Sequence, residues 1–359
     1  MRPLVIACVC LFGSLSVIVG LYYLAPQKEI LHENGFHRKL VNGLLSNEQF
    51  IDLDYNSFYI AGLSEVNVFL GNYRVPTFYL KTNYSLTDTI RVPLNIPKEK
   101  NIAWNVLNIV INSPDLYISD RLTPTLFYGK LSELKYTKSD LNGVRFGKMV
   151  PIDRDHIIVR TYDPIHGQNV LKATSMDSTN ETLPTYVLEK QVDGMFCTDG
   201  FFLHNQAYDQ VLYVYYYRNQ YVGLNSGLDV VYQGNTIDTV SHAKVRVGTI
   251  ASENKNTLTK RPDIVNKRGA VYGDKLYIGS GLIADNESID EFQTNSIVDV
   301  YSLKDQSYQF SFYIPAFRNK KTREFKVYDD KLVAIYSNYL VTYELNDVVG
   351  EEPVTVSME

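Results

Sequence analysis

The densest run of chemically capable side chains is Tyr215-Tyr216-Tyr217-Arg218-Asn219-Gln220-Tyr221. An arginine guanidinium grips a carboxylate or phosphate through two parallel hydrogen bonds. Tyrosines beside it offer a flat apolar face with a polar tip for stacking on a ligand. Tyr217, Arg218 and Tyr221 are therefore the candidate ligand-binding residues. The same stretch also fits a plain hairpin, with Arg218-Asn219 at the turn and tyrosines alternating between faces. The sequence leaves both readings open.

Two histidines come next. His156 follows Asp155 at the start of a strand-like run, and His204 ends another that begins near Asp199. Neutral imidazole and carboxylate together ligate transition metals, but nothing in the spacing brings these residues to one point. A histidine at a strand end serves equally well as a hydrogen-bonding surface residue. The sequence has no Walker loop, no Gly-x-Ser-x-Gly elbow, no His-Glu-x-x-His and no Cys-x-x-Cys. That counts against the common nucleotide, hydrolase and zinc chemistries. A site gathered from distant segments stays possible, because fold and function are separable.

The elements that would position such residues follow from a recurring phrase: a turn residue, a β-branched and aromatic run, then another turn residue. It appears at Phe58–Ala61, at Asp115-Leu116-Tyr117-Ile118, at Asp155-His156-Ile157-Ile158-Val159, at Asp199-Gly200-Phe201-Phe202-Leu203, at Asp274-Lys275-Leu276-Tyr277-Ile278 and at Asp330-Lys331-Leu332-Val333. Further strand-like runs follow each one, so the chain divides into six groups of about 50 residues, within the range of propeller repeats. The fourth is the clearest, with strands at Phe201–Leu203, Val211–Tyr217, Tyr221–Leu224 and Leu228–Tyr232. The stretches Ala251–Lys260 and Asp285–Glu291 read as long loops, and no helical period competes after the N-terminal run. The expected fold is all-β, a six-bladed β-propeller, which leaves only short, protected sheet edges. The alternative is a pair of β-sandwiches split near Ala251–Lys260.

The last group, Glu324–Tyr328, Leu332–Tyr336 and Leu340–Leu345, has three strands. Candidates for the missing one lie upstream, around Phe36–Leu44 and Phe50–Leu53. A strand from the N-terminal side would close the ring and leave no open edge. The expected organisation is thus a connector and closing strand at residues 27–50, a propeller at 51–346 and a tail at 347–359.

Residues 1–26 form a separate segment. Arg2 is followed by an uncharged run from Pro3 to Pro26, and about 20 apolar residues suffice to span a bilayer as a helix. Tyr22-Tyr23-Leu24-Ala25-Pro26 is a poor cleavage site, and paired aromatics suit the membrane interface. The segment reads as an uncleaved signal anchor, one transmembrane helix with its N-terminus in the cytoplasm. The rest then lies in the bacterial periplasm or another extracytoplasmic space. Cys197 is the lone cysteine beyond the anchor, so the domain is held by its core rather than by disulfides, which suits an envelope protein. The net charge of −5 offers no basic surface for nucleic acid. Tyrosine is abundant, 28 against 16 phenylalanines, as half-buried strands favour.

Over residues 50–346 the repeated strand pattern resembles the broad NHL/TolB-like group of six-bladed propellers. The Tyr215–Tyr221 stretch followed by Gly234-Asn235-Thr236-Ile237-Asp238-Thr239 is similar to uncharacterised envelope propellers. The resemblance carries no activity with it; anchor and propeller together read as a membrane-tethered binding or scaffold module whose partner is a protein, peptide or glycan of the envelope. The alternative is a propeller enzyme, a metal-assisted lactonase or other hydrolase, or a lyase, with its active site at a channel mouth. By analogy, a calcium ion at the channel would draw on Asp199 and Asp274; no other cofactor is expected.

Overall fold

The computed structural model describes residues 13–17, 20, 34–97, 102–120, 122–133, 135–176, 183–250 and 255–347. Of the expected anchor, only residues 13–17 and 20 are described, as helix. Among the described residues no helix is long and apolar enough to cross a membrane. The rest of the anchor and nearly all of the tail lie outside the described residues.

Strand β1 (Leu45–Asp52) comes first and belongs to the last blade. Blade I holds β2 (Phe58–Leu63), β3 (Asn67–Asn72), β4 (Phe78–Asn83) and β5 (Thr89–Pro93). Blade II holds β6 (Asn108–Asn112), β7 (Asp115–Ser119), β8 (Leu126–Lys130) and β9 (Thr137–Ser139). Blade III holds β10 (Lys148–Pro151), β11 (His156–Asp163) and β12 (Gln168–Ser175). Blade IV holds β13 (Gly200–Asn205), β14 (Gln210–Tyr215), β15 (Gln220–Leu224) and β16 (Val230–Asn235). A separate hairpin, β17 (Val247–Ile250) and β18 (Lys255–Leu258), follows. Blade V holds β19 (Asn266–Tyr272), β20 (Lys275–Ser280), β21 (Ser296–Ser302) and β22 (Tyr308–Ile314), with helix α1 (Ile289–Thr294) between its second and third strands. Blade VI holds β23 (Glu324–Tyr328), β24 (Lys331–Tyr336) and β25 (Tyr339–Leu345), and β1 pairs antiparallel with β25, Phe50 opposite Val341.

This is a six-bladed propeller, not two sandwiches. Two stretches read as loops differ from that expectation. Residues 255–258 pair with 247–250, and Ile289–Thr294 is a short helix started by Ser288, whose side chain accepts from the Glu291 amide. The helix is too short for a hydrophobic period to register, and Ser288 with its acidic first turn is a local N-terminal signal.

The recurring phrase marks different strands in different blades. In blades I and IV it is the innermost strand; in II, III, V and VI it is the second. Second strands are covered on both faces by neighbouring blades, and Leu116, Tyr117, Ile118, Ile157, Val159, Leu332 and Ile335 are all fully buried. They therefore carry the strongest apolar signal. Tyrosine also has a specific use. Tyr221 pairs with Gly234, Tyr232 with Gly223 and Tyr59 with Gly71 across adjacent strands. Each ring lies where a Cβ on the glycine would stand, within 2.2–2.3 Å of it. A flat ring thus covers the bare backbone of its neighbour.

The connector is built into the ring before β1 begins. Val41 N donates to Ser311 O and Ser311 N to Lys39 O, both at 2.8 Å, so the chain runs along blade V. Arg38, buried, grips Asp299 through Nε at 2.7 Å and Nη2 at 3.0 Å, and pairs with Glu287 through Nη1. Leu44 is buried with Phe312, Val341 and Tyr343.

Candidate functional site

A cavity of 580 Å³ opens at the centre of the ring, where the six innermost strands end. Each contributes: Leu63 from β2, Asn112 from β6, Met149 from β10, His204 from β13, Val271 from β19 and Lys326 from β23. The strands crowd together because some positions carry no side chain. A Cβ on Gly62 would stand 2.1 Å from the Ile111 carbonyl oxygen, so only glycine lets β2 and β6 approach this closely.

The polar groups of the cavity are amides, one imidazole and one amine. Gln206 Nε2 donates to Asn112 Oδ1, which ties the turn after β13 to the end of β6 across the mouth. Asn205 Nδ2 donates to the Gly273 carbonyl at 2.8 Å and holds blade IV to the β19–β20 turn. His204 Nε2 is buried and has no hydrogen-bond partner among the described residues. Burial pushes its pKa below the ordinary 6.5, against the opposing charges of Asp209 and Asp153. Burial also lowers the Lys326 amine, with Glu324 opposing. Glu324, two residues back on β23, is pushed up by burial, and its Oε2 accepts from the Ile60 amide at 3.2 Å. Aromatic area comes from Phe202, Tyr272 and Tyr328; the two tyrosine rings lie 5.0 Å apart, tilted by 50°. No aspartate or glutamate is among the described residues that line the cavity.

The residues singled out from the sequence lie elsewhere. Tyr216 to Asn219 form the turn between β14 and β15, and Arg218 is fully buried there. Its guanidinium sits 3.7 Å from the centre of the Tyr215 ring, and Nη1 donates to the Glu189 carbonyl at 3.1 Å. Nη2 lies 3.7 Å from Glu189 Oε2, on a side chain that is 62% exposed. Tyr217 packs on the small cluster of Cys197, Ala243 and Val245. Tyr221 is buried against Tyr301 between blades IV and V, ring centres 6.1 Å apart. The three side chains thus enter different packing environments.

Asp199 precedes β13 and pairs with Arg160, which also donates to the Tyr213 hydroxyl at 3.0 Å. Asp274 follows β19 and pairs with Lys304 at 2.8 Å. One stands where an inner strand begins and the other where an inner strand has ended, so they do not share an ion. Among the described residues no three His, Cys, Asp or Glu side chains gather as metal ligands. His156 is an exposed partner of Asp153, at 2.9 Å. Of the sequence candidates only His204 reaches the cavity. Lys326 carried a signal that the sequence reading passed over: Glu324-Phe325-Lys326-Val327-Tyr328 alternates polar and apolar strictly. The Gln206–Asn112 contact spans 94 positions and left none.

No protein-family model matches the chain, and no curated protein matches it. Several solved structures are similar to this chain at low identity. A member of the DUF4221 family from Bacteroides vulgatus is 11% identical, with a TM-score of 0.49 over 84% of this chain and 96% of that one. A catalytically inactive virginiamycin B lyase from Staphylococcus aureus, with quinupristin, is 9% identical, with a TM-score of 0.43 over 84% and 99%. The computationally designed Ika8 protein is 7% identical, with a TM-score of 0.41 over 83% and 100%.

Proposed function

We propose that this protein is a membrane-tethered, envelope-facing propeller of the NHL/TolB-like kind that binds a protein, peptide or glycan at the central cavity. The observation that carries the reading is the lining: six inner strands present amides, paired tyrosines and apolar area around one cavity. Its 580 Å³ falls in the range of small-ligand pockets, about 300–1,000 Å³, and pockets of that kind combine apolar walls with a few placed polar groups. Tyrosine faces and amides suit sugar rings and peptide groups alike. The uncharged run at residues 3–26 supports the tether.

The test is a panel of peptides and envelope glycans presented to the full chain in detergent, with Ala207→Trp as control. Ala207 lies in the turn at the cavity mouth, so the indole plugs the opening without entering the core. Ligands of the cavity lose at least tenfold in affinity in the variant, at unchanged thermal stability. Ligands that bind the plugged protein equally well would place the binding surface elsewhere.

A further inference from the structure

A second, smaller pocket of 100 Å³ lies between blades V and VI, near the starts of β19 and β23, away from the central cavity that lies where those strands end. Lys267, Arg268 and Lys321 all line it, under Phe292 of α1. The cations are held in place from outside. Arg268 Nη1 donates to the Thr322 carbonyl and Lys321 Nζ to the Phe292 carbonyl. Lys267 has no hydrogen-bond or ion-pair partner among the described residues; its amine stands 5.9 Å from the centre of the Phe292 ring. Among the described residues no carboxylate lines the pocket.

Like charges around one small volume repel, and that repulsion is felt. Lys267 is pushed below its ordinary pKa by burial first and then by Lys321 and Arg268. Lys321 is lowered by burial and then by Arg268, with Glu287 opposing. Arg268 is lowered by burial, Glu324 opposing and Arg323 adding to the effect. An arrangement of this kind gains most from an anion placed among the three.

We infer that the pocket of Lys267, Arg268 and Lys321 binds a phosphate group. Size sets the first limit: a pocket of 100 Å³ has room for one tetrahedral oxyanion in place of a few waters. Charge sets the second. A carboxylate carries one negative charge against three cations, whereas a phosphate approaches two near neutral pH and offers several acceptor oxygens. The arginine fork and two lysine point charges complement it. The phosphate is either free or the end group of a larger molecule, since the pocket is open to solvent on the side of the two exposed lysines.

The experiment is calorimetric titration of the full chain in detergent, at low salt, with inorganic phosphate, glycerol 3-phosphate and acetate. The expected result is saturable binding of at least one phosphate probe and at least tenfold weaker binding of acetate. Tighter binding of inorganic phosphate identifies a free anion; tighter binding of glycerol 3-phosphate identifies a phosphorylated end group. Lys267→Gln together with Lys321→Gln lowers the affinity at least tenfold while the melting temperature of the unliganded protein stays level or rises. Lys267→Gln alone is the second variant, because that exposed side chain supports no other group. Ala207→Trp, away from this pocket at the central cavity mouth, leaves phosphate binding unchanged. Absence of saturable binding by both phosphate probes, acetate binding as tightly as phosphate, or full affinity in the lysine variants would overturn the assignment.

Discussion

Arg218 separates packing from charge in a way that can be measured. Replacing it with alanine removes a large buried side chain, and truncating a long apolar side chain in a core costs about 2–5 kcal/mol. The stack on Tyr215 at 3.7 Å adds about 1–2 kcal/mol when desolvated. The Nη1 bond to the Glu189 carbonyl adds about 1 kcal/mol. Against these stands relief: Nε and Nη2 are buried without hydrogen-bond partners among the described residues, at about 1–3 kcal/mol each. The Glu189 carboxylate gives little back, because it is mostly exposed at 3.7 Å and such pairs contribute about 0–1 kcal/mol. Arg218→Ala therefore destabilises by about 2 kcal/mol, roughly 4 °C in melting temperature. Arg218→Met keeps most of the volume and sheds the unsatisfied charge, so it falls within about 1 kcal/mol of the parent. The assay is paired urea unfolding of parent, Ala and Met proteins. Equal losses above about 3 kcal/mol in both variants would show that the charge itself stabilises the fold, and the reasoning from unsatisfied nitrogens would be refuted.

Deleting residues 27–50 should lower the melting temperature steeply, because it removes Arg38 from Asp299, Leu44 from its core and most of β1 from β25; unchanged melting would mean that the ring closes without them. His204 makes stability depend on pH. Its folded pKa lies below the ordinary 6.5, so its contribution is fully present above about pH 6.5 and is lost as pH falls through the folded value. His204→Gln should flatten that slope in melting curves taken across pH 4 to 8, and an unchanged slope would assign it to other groups. In a bacterium the full chain should sediment with membranes, and protease should reach residues 50–359 only after the outer face is opened; recovery as a soluble cytoplasmic protein would remove the anchor from the proposal.

How much of this was legible beforehand depends on the range of each interaction. Six strand groups, the hairpin around Arg218-Asn219 and the shortage of a strand in the last group could be read from the chain. Turn chemistry and strand alternation act over a few residues, so they leave a local mark. The phrase Asp274-Lys275-Leu276-Tyr277-Ile278 told of a buried strand, but not that it was the second of its blade, since burial from both faces is set by the neighbouring blades. The candidate site was mostly not legible. Tyr217, Arg218 and Tyr221 fitted both a ligand surface and a plain packed hairpin, because composition shows what side chains can do and not which way they point. Tertiary packing sends Arg218 under Tyr215 and Tyr221 against Tyr301. It also gathers Asn112, His204 and Lys326 from three blades around one cavity, and Lys267, Arg268 and Lys321 around another. The sequence by itself determined the six strand groups, because these answer to local patterns; the β17–β18 hairpin and helix α1 escaped it. Only tertiary packing decided the two cavities: the central one is walled by strands from all six blades, which meet when β1 pairs with β25, and the smaller one forms where blades V and VI pack side by side.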